Sequence, residues 1–271
     1  MARPLWFNKL LKAAFPQSWM VARMTRWPLV GAWLDHWLFE GDDLFVVPKP
    51  RVIVLNRTVP GQETSCVPWQ VVDHFINQAN YHWLMNDCIC RSGKKCKDYP
   101  RELGCIFLGE ASLQINPQIG RRVSREEALA HAQKCREAGL VHLIGRNKLD
   151  AVWLGAGPGR KLMTICNCCP CCCLWNNLPL LSREITRKIT RMPGVSVSVN
   201  ENCSGCGECA KDICFAGALK MVEGRAVISD SCLGCGRCSL ACDQGAIELR
   251  IEDESYLGRS IERLNRVVDV S

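Results

Sequence analysis

Twenty of the 271 residues are cysteine, and their spacing is what could carry chemistry. Cys66 stands alone, followed by Cys88, Cys90, Cys96 and Cys105, then a solitary Cys135. Six crowd the eight residues from Cys166 to Cys173, and eight more lie between Cys203 and Cys242. Thiolates bind soft metals and tolerate electron transfer, whereas crowded free thiols invite oxidation. A disulfide-stapled scaffold is excluded by length, because a chain this long has apolar residues enough for a core without staples.

The C-terminal eight are the most informative. Cys203, Cys206, Cys209 and Cys214 are repeated as Cys232, Cys235, Cys238 and Cys242, at offsets of 29, 29, 29 and 28 residues. The text after each fourth cysteine repeats too, with Gly217-Ala218-Leu219 matching Gly245-Ala246-Ile247. Four cysteines also suit tetrahedral zinc, but a duplicated three-then-one order favours clusters.

This segment resembles the bacterial two-cluster ferredoxins. The resemblance implies two four-iron, four-sulfur clusters, one held by Cys203, Cys206, Cys209 and Cys242, the other by Cys232, Cys235, Cys238 and Cys214. It also implies a ferredoxin-like βαβ-repeat module and an electron relay. Two departures stand out: one extra residue before Cys214, and Phe215 and Asp243 where the family places proline.

Ten further cysteines are candidate metal ligands: Cys88, Cys90, Cys96, Cys105, Cys166, Cys168, Cys169, Cys171, Cys172 and Cys173. Arg91, Lys94, Lys95, Lys97 and Arg101 crowd the first four, where cations would lower thiol pKa values and offset a thiolate-bound cluster. On extended backbone the Cys88-x-Cys90 pair points both sulfurs one way, and the Cys166–Cys173 run either feeds two metal centres or uses alternate sulfurs. Ten ligands allow one or two further iron–sulfur clusters. Residues 35–175 are similar to the N-terminal region of ferredoxin-domain proteins of anaerobes that have no assigned activity, through FEGDD, NDCICR, GLVHLIGRNKLD and CNCCPCCC; this implies iron–sulfur binding. Cys66 and Cys135 read as ordinary buried thiols.

The elements that must position these residues predict an α+β chain. Residues 1–193 form a cysteine-rich N-terminal domain, 194–251 the two-cluster module and 252–271 a helical tail. Five of nine tryptophans fall in the first forty residues at helical spacing (Trp6, Trp19, Trp27, Trp33, Trp37), predicting short helices that dock on a membrane surface or partner subunit, or else bury in the core. Two β pieces flank Pro48 and Pro50. A helix from Pro68 carries Val71, Val72, Phe75, Ile76, Ala79, Trp83 and Leu84. Ser124 opens a capping box and Gly139 closes that helix. Residues 141–144, 151–154 and 161–165 read as strands, with Gly155–Arg160 a hairpin turn rather than a phosphate loop. A last helix runs from Ser182 to Pro193. His142 reads as a core histidine.

The net charge is +7. No helicase or glycosylase motif accompanies it and the charge lies beside cysteines, so nucleic acid is not expected. Lys9 and Lys12 interrupt any signal-like stretch, and Trp27–Phe39 is short and carries Asp35 and His36, so the expectation is cytoplasmic. The residues predict an electron-transfer protein serving a redox partner; the alternative is an oxidoreductase whose N-terminal cluster is the catalytic site.

Overall fold

The computed structural model describes residues 2–49, 53–55, 68–251 and 255–271; Cys66 lies outside them. The fold is α+β. Three short helices open it: α1 (Leu5–Ala14), α2 (Ser18–Met24) and α3 (Pro28–Leu38). Strand β1 (Asp43–Val46) and β2 (Ile53–Leu55) follow, then α4 (Gln70–Gln78), β3 (His82–Met85), α5 (Ile89–Gly93), β4 (Ile106–Leu108) and β5 (Gly120–Val123). Next come α6 (Arg125–Glu137), β6 (Val141–Arg146), α7 (Lys148–Leu154), β7 (Met163–Cys168), α8 (Arg183–Thr186) and β8 (Ile189–Arg191).

A seven-stranded sheet in the order β5-β3-β4-β7-β6-β1-β8 forms the body, antiparallel except where β8 joins β1 in parallel. Side chains alternate across it, and this sorts the sequence into two cores. Phe45, Leu84, Ile106, Leu108, Ile144, Met163 and Ile165 face one side, against Val71, Val72, Phe75 and Ile76 of α4 and Ala128 and Ala132 of α6. Leu44, Val46, Val141, Leu143, Cys166 and Cys168 face the other, with Trp175 and Leu178. Strand period therefore delivers Cys166 and Cys168 together to one buried face.

The C-terminal part contains β9 (Val195–Val199), a 3-10 turn at Glu208–Ala210, β10 (Leu219–Val222), β11 (Arg225–Ile228), α9 (Arg237–Leu240) and β12 (Ile247–Ile251). Strands β10 and β11 form a hairpin, and β12 pairs antiparallel with β9 and parallel with β2. Val195, Leu249 and Ile251 enter the same core as α4, as do Tyr256 and Leu264 of α10 (Tyr256–Asn265) and the following Val268 and Val270.

Four expectations are corrected. Trp83 and Leu84 belong to β3, because α4 ends at Gln78 and the chain turns extended at Ala79. Residues 151–154 are helical: α7 begins after Asn147 and left-handed Gly155 (φ 65°) ends it, so the Gly155 stop outweighs the apolar run. The 155–160 segment consequently joins a helix to β7 and is not a hairpin turn. The last helix stops at Thr186, and Ile189 and Thr190 pair with β1 instead.

The capping box forms as read. Ser124 Oγ accepts the Glu127 N–H at 3.2 Å and Glu127 accepts the Ser124 N–H at 3.0 Å. Ser124→Ala is expected to cost about 1 kcal/mol, read as a lower denaturant midpoint.

Candidate metal centres

The structure gathers the C-terminal cysteines around two cavities. Cys203, Cys206, Cys209 and Cys242 line one, and Cys214, Cys232, Cys235 and Cys238 line the other. The duplication persists in the backbone: Ala218 N–H donates to Cys214 Sγ and Ala246 N–H to Cys242 Sγ, both at 3.3 Å. Gly234 N–H donates to Cys232 Sγ at 3.4 Å, and backbone donation from Ala226 and Gly205 lowers the Cys203 thiol pKa. Gly205 (φ 74°) could not carry a side chain, since a Cβ would sit 2.1 Å from the Gly224 carbonyl oxygen. This is the environment an anionic cluster needs: sulfurs already receiving amide hydrogen bonds around an enclosed space.

The two halves differ in what surrounds them. Phe215 and Arg237 stand at the second cavity and are buried, while their counterparts Asp243 and Glu208 are exposed. Arg237 donates to the Cys168 carbonyl at 2.6 Å and lies 5.3 Å from the Phe215 ring centroid. It thus ties the second cavity to the six-cysteine run, within one core that includes Phe215, Leu233, Cys166, Cys168 and Cys173.

The ten N-terminal candidates separate into six and four. Cys88, Cys90, Cys105, Cys166, Cys168 and Cys173 line one buried cavity, whose wall Cys169 also reaches. Their thiols form a chain of contacts from Cys88 to Cys90, Cys173, Cys168, Cys166 and Cys105. Cys96, Cys169, Cys171 and Cys172 converge in a second, tighter group, with Cys169 at the border of the two. The Cys166–Cys173 run feeds both, but not by simple alternation, because the chain turns after Cys168 where β7 ends. The extended reading of Cys88-x-Cys90 is also corrected: Cys88 caps α5 and Cys90 lies inside it. Gly93 makes this placement possible, since a Cβ there would meet Phe15 Cβ at 2.6 Å, so α5 lies directly against the turn following α1.

Arg91 is the electrostatic centre of the six-thiol cavity. Its residue is fully buried; Nη1 donates to the Asn167 carbonyl at 2.8 Å and Nη2 to the Leu103 carbonyl. Burial opposes its charge, but Cys88, Cys169 and Cys105 hold the guanidinium protonated. Hydrogen bonding from Cys90, aided by Arg91, brings the Cys88 thiol down to about 7 against the effect of burial. Cys173 falls well below the usual range because Cys168 and Cys90 donate to it, and Cys90 is correspondingly raised. Cys135, near Arg91, is simply buried and pushed up to about 12 by desolvation.

Arg91 Nε and Arg237 Nη1 are buried with no hydrogen-bond partner among the described residues. Two cations left partly unsatisfied beside concentrated thiols fit an anionic thiolate-ligated centre, which would supply the missing acceptors.

Several residues of the cavity escaped the sequence reading. Asp150 lines it, accepting from Asn147 at 2.7 Å and Thr164 at 3.0 Å while burial raises it to about 6. It lies in α7 beside the 151–154 run that reads as strand from the sequence. Asn167 bridges outward, donating to the Gly104 carbonyl at 2.6 Å and accepting from His142 Nδ1 at 2.8 Å. His142 is buried, and desolvation lowers it to about 4. Arg237 was detectable as the place where the duplication breaks, opposite Glu208.

Residues 226–248 match the 4Fe-4S binding domain family, a span that contains Cys232, Cys235, Cys238 and Cys242. No curated protein and no solved structure matches the chain. The chain therefore carries a 4Fe-4S binding domain together with a separate cysteine cluster, features of iron–sulfur electron transfer.

Arg91→Met removes the donors to two buried carbonyls as well as the buried charge. It is expected to destabilise the protein by about 3 kcal/mol or more, measured as a shift in anaerobic denaturant unfolding, with Arg91→Lys intermediate.

Proposed function

We propose that the protein relays electrons between a redox partner and a buried N-terminal iron–sulfur centre, through two C-terminal clusters. The observation that carries this reading is the burial of Arg237 between the second C-terminal cavity and the carbonyl of Cys168. The ligand sets are Cys203, Cys206, Cys209 and Cys242 for the outer cluster, and Cys232, Cys235, Cys238 and Cys214 for the inner one. Cys88, Cys90, Cys105, Cys166, Cys168 and Cys173 supply the N-terminal centre. Such clusters provide one-electron redox chemistry when bound.

The residues around each set give the relay a direction in space. Cys206 is exposed and Cys203 only partly covered, so the outer set faces a partner. Phe215, Leu233 and Arg237 exclude water on the inner side. Arg237 and Arg91 offset negative charge on the way inward, and backbone amides at Ala218, Ala246 and Gly234 stabilise thiolate sulfur. The seven thiols around the N-terminal cavity exceed the four a cubane needs, even with Cys169 set aside, which favours a fully ligated relay centre over a catalytic one with an open iron.

Anaerobically purified protein is expected to contain about eight irons from the C-terminal part plus those of the N-terminal centre. A Cys168→Ser, Cys173→Ser double variant should lose only the N-terminal share, with the C-terminal EPR signals after dithionite reduction retained. About eight irons in the parent chain, unchanged in the double variant, would remove the N-terminal centre from the relay.

The tryptophan-rich helices supply the attachment we propose for this relay, an anionic membrane surface. Core burial does not account for them: Trp6, Trp19, Trp27, Trp33 and Trp37 are all exposed, from 45 % at Trp19 to 64 % at Trp6, and Leu29 is 88 % exposed. Exposed Lys9 and Arg23 add positive charge among them. Amphipathic helices with interfacial tryptophan and basic residues bind anionic lipid in the headgroup plane. No described helix is long and apolar enough to cross a membrane. The protein is expected to sediment with phosphatidylglycerol vesicles and less with phosphatidylcholine, and Trp19→Ser, Trp33→Ser should weaken this. A stable dimer broken by the same substitutions, with no vesicle binding, would instead assign the face to a second copy.

A further inference from the structure

The four cysteines outside that chain of six contacting thiols are arranged differently from every other set, Cys169 among them lining the cavity as well. The Sγ atoms of Cys96, Cys169, Cys171 and Cys172 all lie within 4.8 Å of one another, with those of Cys96 and Cys171 3.5 Å apart. Spacing discriminates between kinds of metal centre. Four thiolates on one tetrahedral ion, with metal–sulfur bonds of about 2.3 Å, form a tetrahedron with edges of about 3.8 Å. Four thiolates on a cubane each bind a different iron, so the inorganic core holds them farther apart. The C-terminal sets give the comparison within the same chain: each surrounds a cavity, and neither converges within 4.8 Å.

The local backbone agrees. Cys169 Sγ accepts the N–H of Cys172, three residues on, at 3.3 Å. Cys96 accepts the backbone N–H groups of Asp98 and Tyr99, two and three residues on. Both are tight turns in which a backbone amide donates to a cysteine sulfur, the arrangement that stabilises a metal-bound thiolate. Asn176 Nδ2 fixes the Cys169–Cys172 turn by donating to the Pro170 carbonyl at 2.6 Å. Lys94, Lys95 and Lys97 flank Cys96 in sequence and complement the negative charge of a four-thiolate site holding a divalent ion.

We propose that Cys96, Cys169, Cys171 and Cys172 hold a single tetrahedral metal ion, zinc or iron, distinct from the iron–sulfur centres. It fastens the segment between α5 and β4 onto the end of β7. That segment includes Leu103, whose carbonyl receives Arg91, so the ion secures one wall of the six-thiol cavity.

The test uses the full chain, purified anaerobically, and separates metal from acid-labile sulfide. Cys171→Ser, at an exposed position, and Cys96→Ser are each expected to remove one metal ion per chain with sulfide unchanged. In the parent protein, a zinc occupant gives zinc-edge X-ray absorption with four sulfur neighbours at about 2.3 Å and no nearby iron. An iron occupant gives a high-spin ferric EPR signal in the oxidised protein that Cys171→Ser abolishes. Sulfide falling in step with iron would make the site a cluster and overturn the proposal, as would a parent protein showing neither signature. The C-terminal EPR signals are read separately, so failure of the relay reading and failure of this one are distinguishable.

Discussion

A guanidinium with no solvent exposure, surrounded by thiols, is the interaction on which the N-terminal half depends. Desolvating Arg91 is costly, and two carbonyl acceptors do not satisfy all its donors. The cost is offset by negative charge held on the surrounding sulfurs. The seven-stranded sheet supplies the rigidity this needs: β7 places Cys166 and Cys168 on one face, and the intervening Asn167 turns its side chain to His142 and Gly104 while its carbonyl receives Arg91. Charge, strand alternation and polar bracing meet within three consecutive residues.

Arg237 extends the same logic across the boundary between chain segments. The internal repeat creates two nearly equivalent thiol cradles, but one is turned outward with Glu208 and Asp243, the other inward with Arg237 and Phe215. Duplication alone yields symmetry; substitution at two positions converts it into an inside and an outside. Phe215, where the ferredoxins this segment resembles place proline, packs into the inner cradle.

Much of this was legible in the sequence, for identifiable reasons. The C-terminal duplication follows from covalent spacing and repeat offsets, which hardly depend on tertiary context, and the exchange of the fourth cysteines from the resemblance that this spacing carries. The short N-terminal helices, the β6 strand and the Ser124 capping box follow from periodicity and local hydrogen bonding. What was not legible depended on long-range pairing. Ile189 and Thr190 become a strand because β1 offers an edge, and Trp83 and Leu84 leave the helical pattern because β4 and β5 flank them. The division of the ten N-terminal cysteines depends on where β7 ends and how α5 is capped, which spacing does not encode. Asp150 was lost for the same reason, since its helix was read as strand.

Strand β12 is paired on one side by β9 and on the other by β2, from much earlier in the chain, while α10 and Val270 close the core beyond it. The two-cradle segment is therefore woven in from both directions and is not a detachable cassette. Electron transfer between separate proteins is second order, at a rate set by their concentrations. Within the relay proposed here, passage between the inner cradle and the N-terminal thiols would be first order, set by fixed packing and independent of how much protein is present.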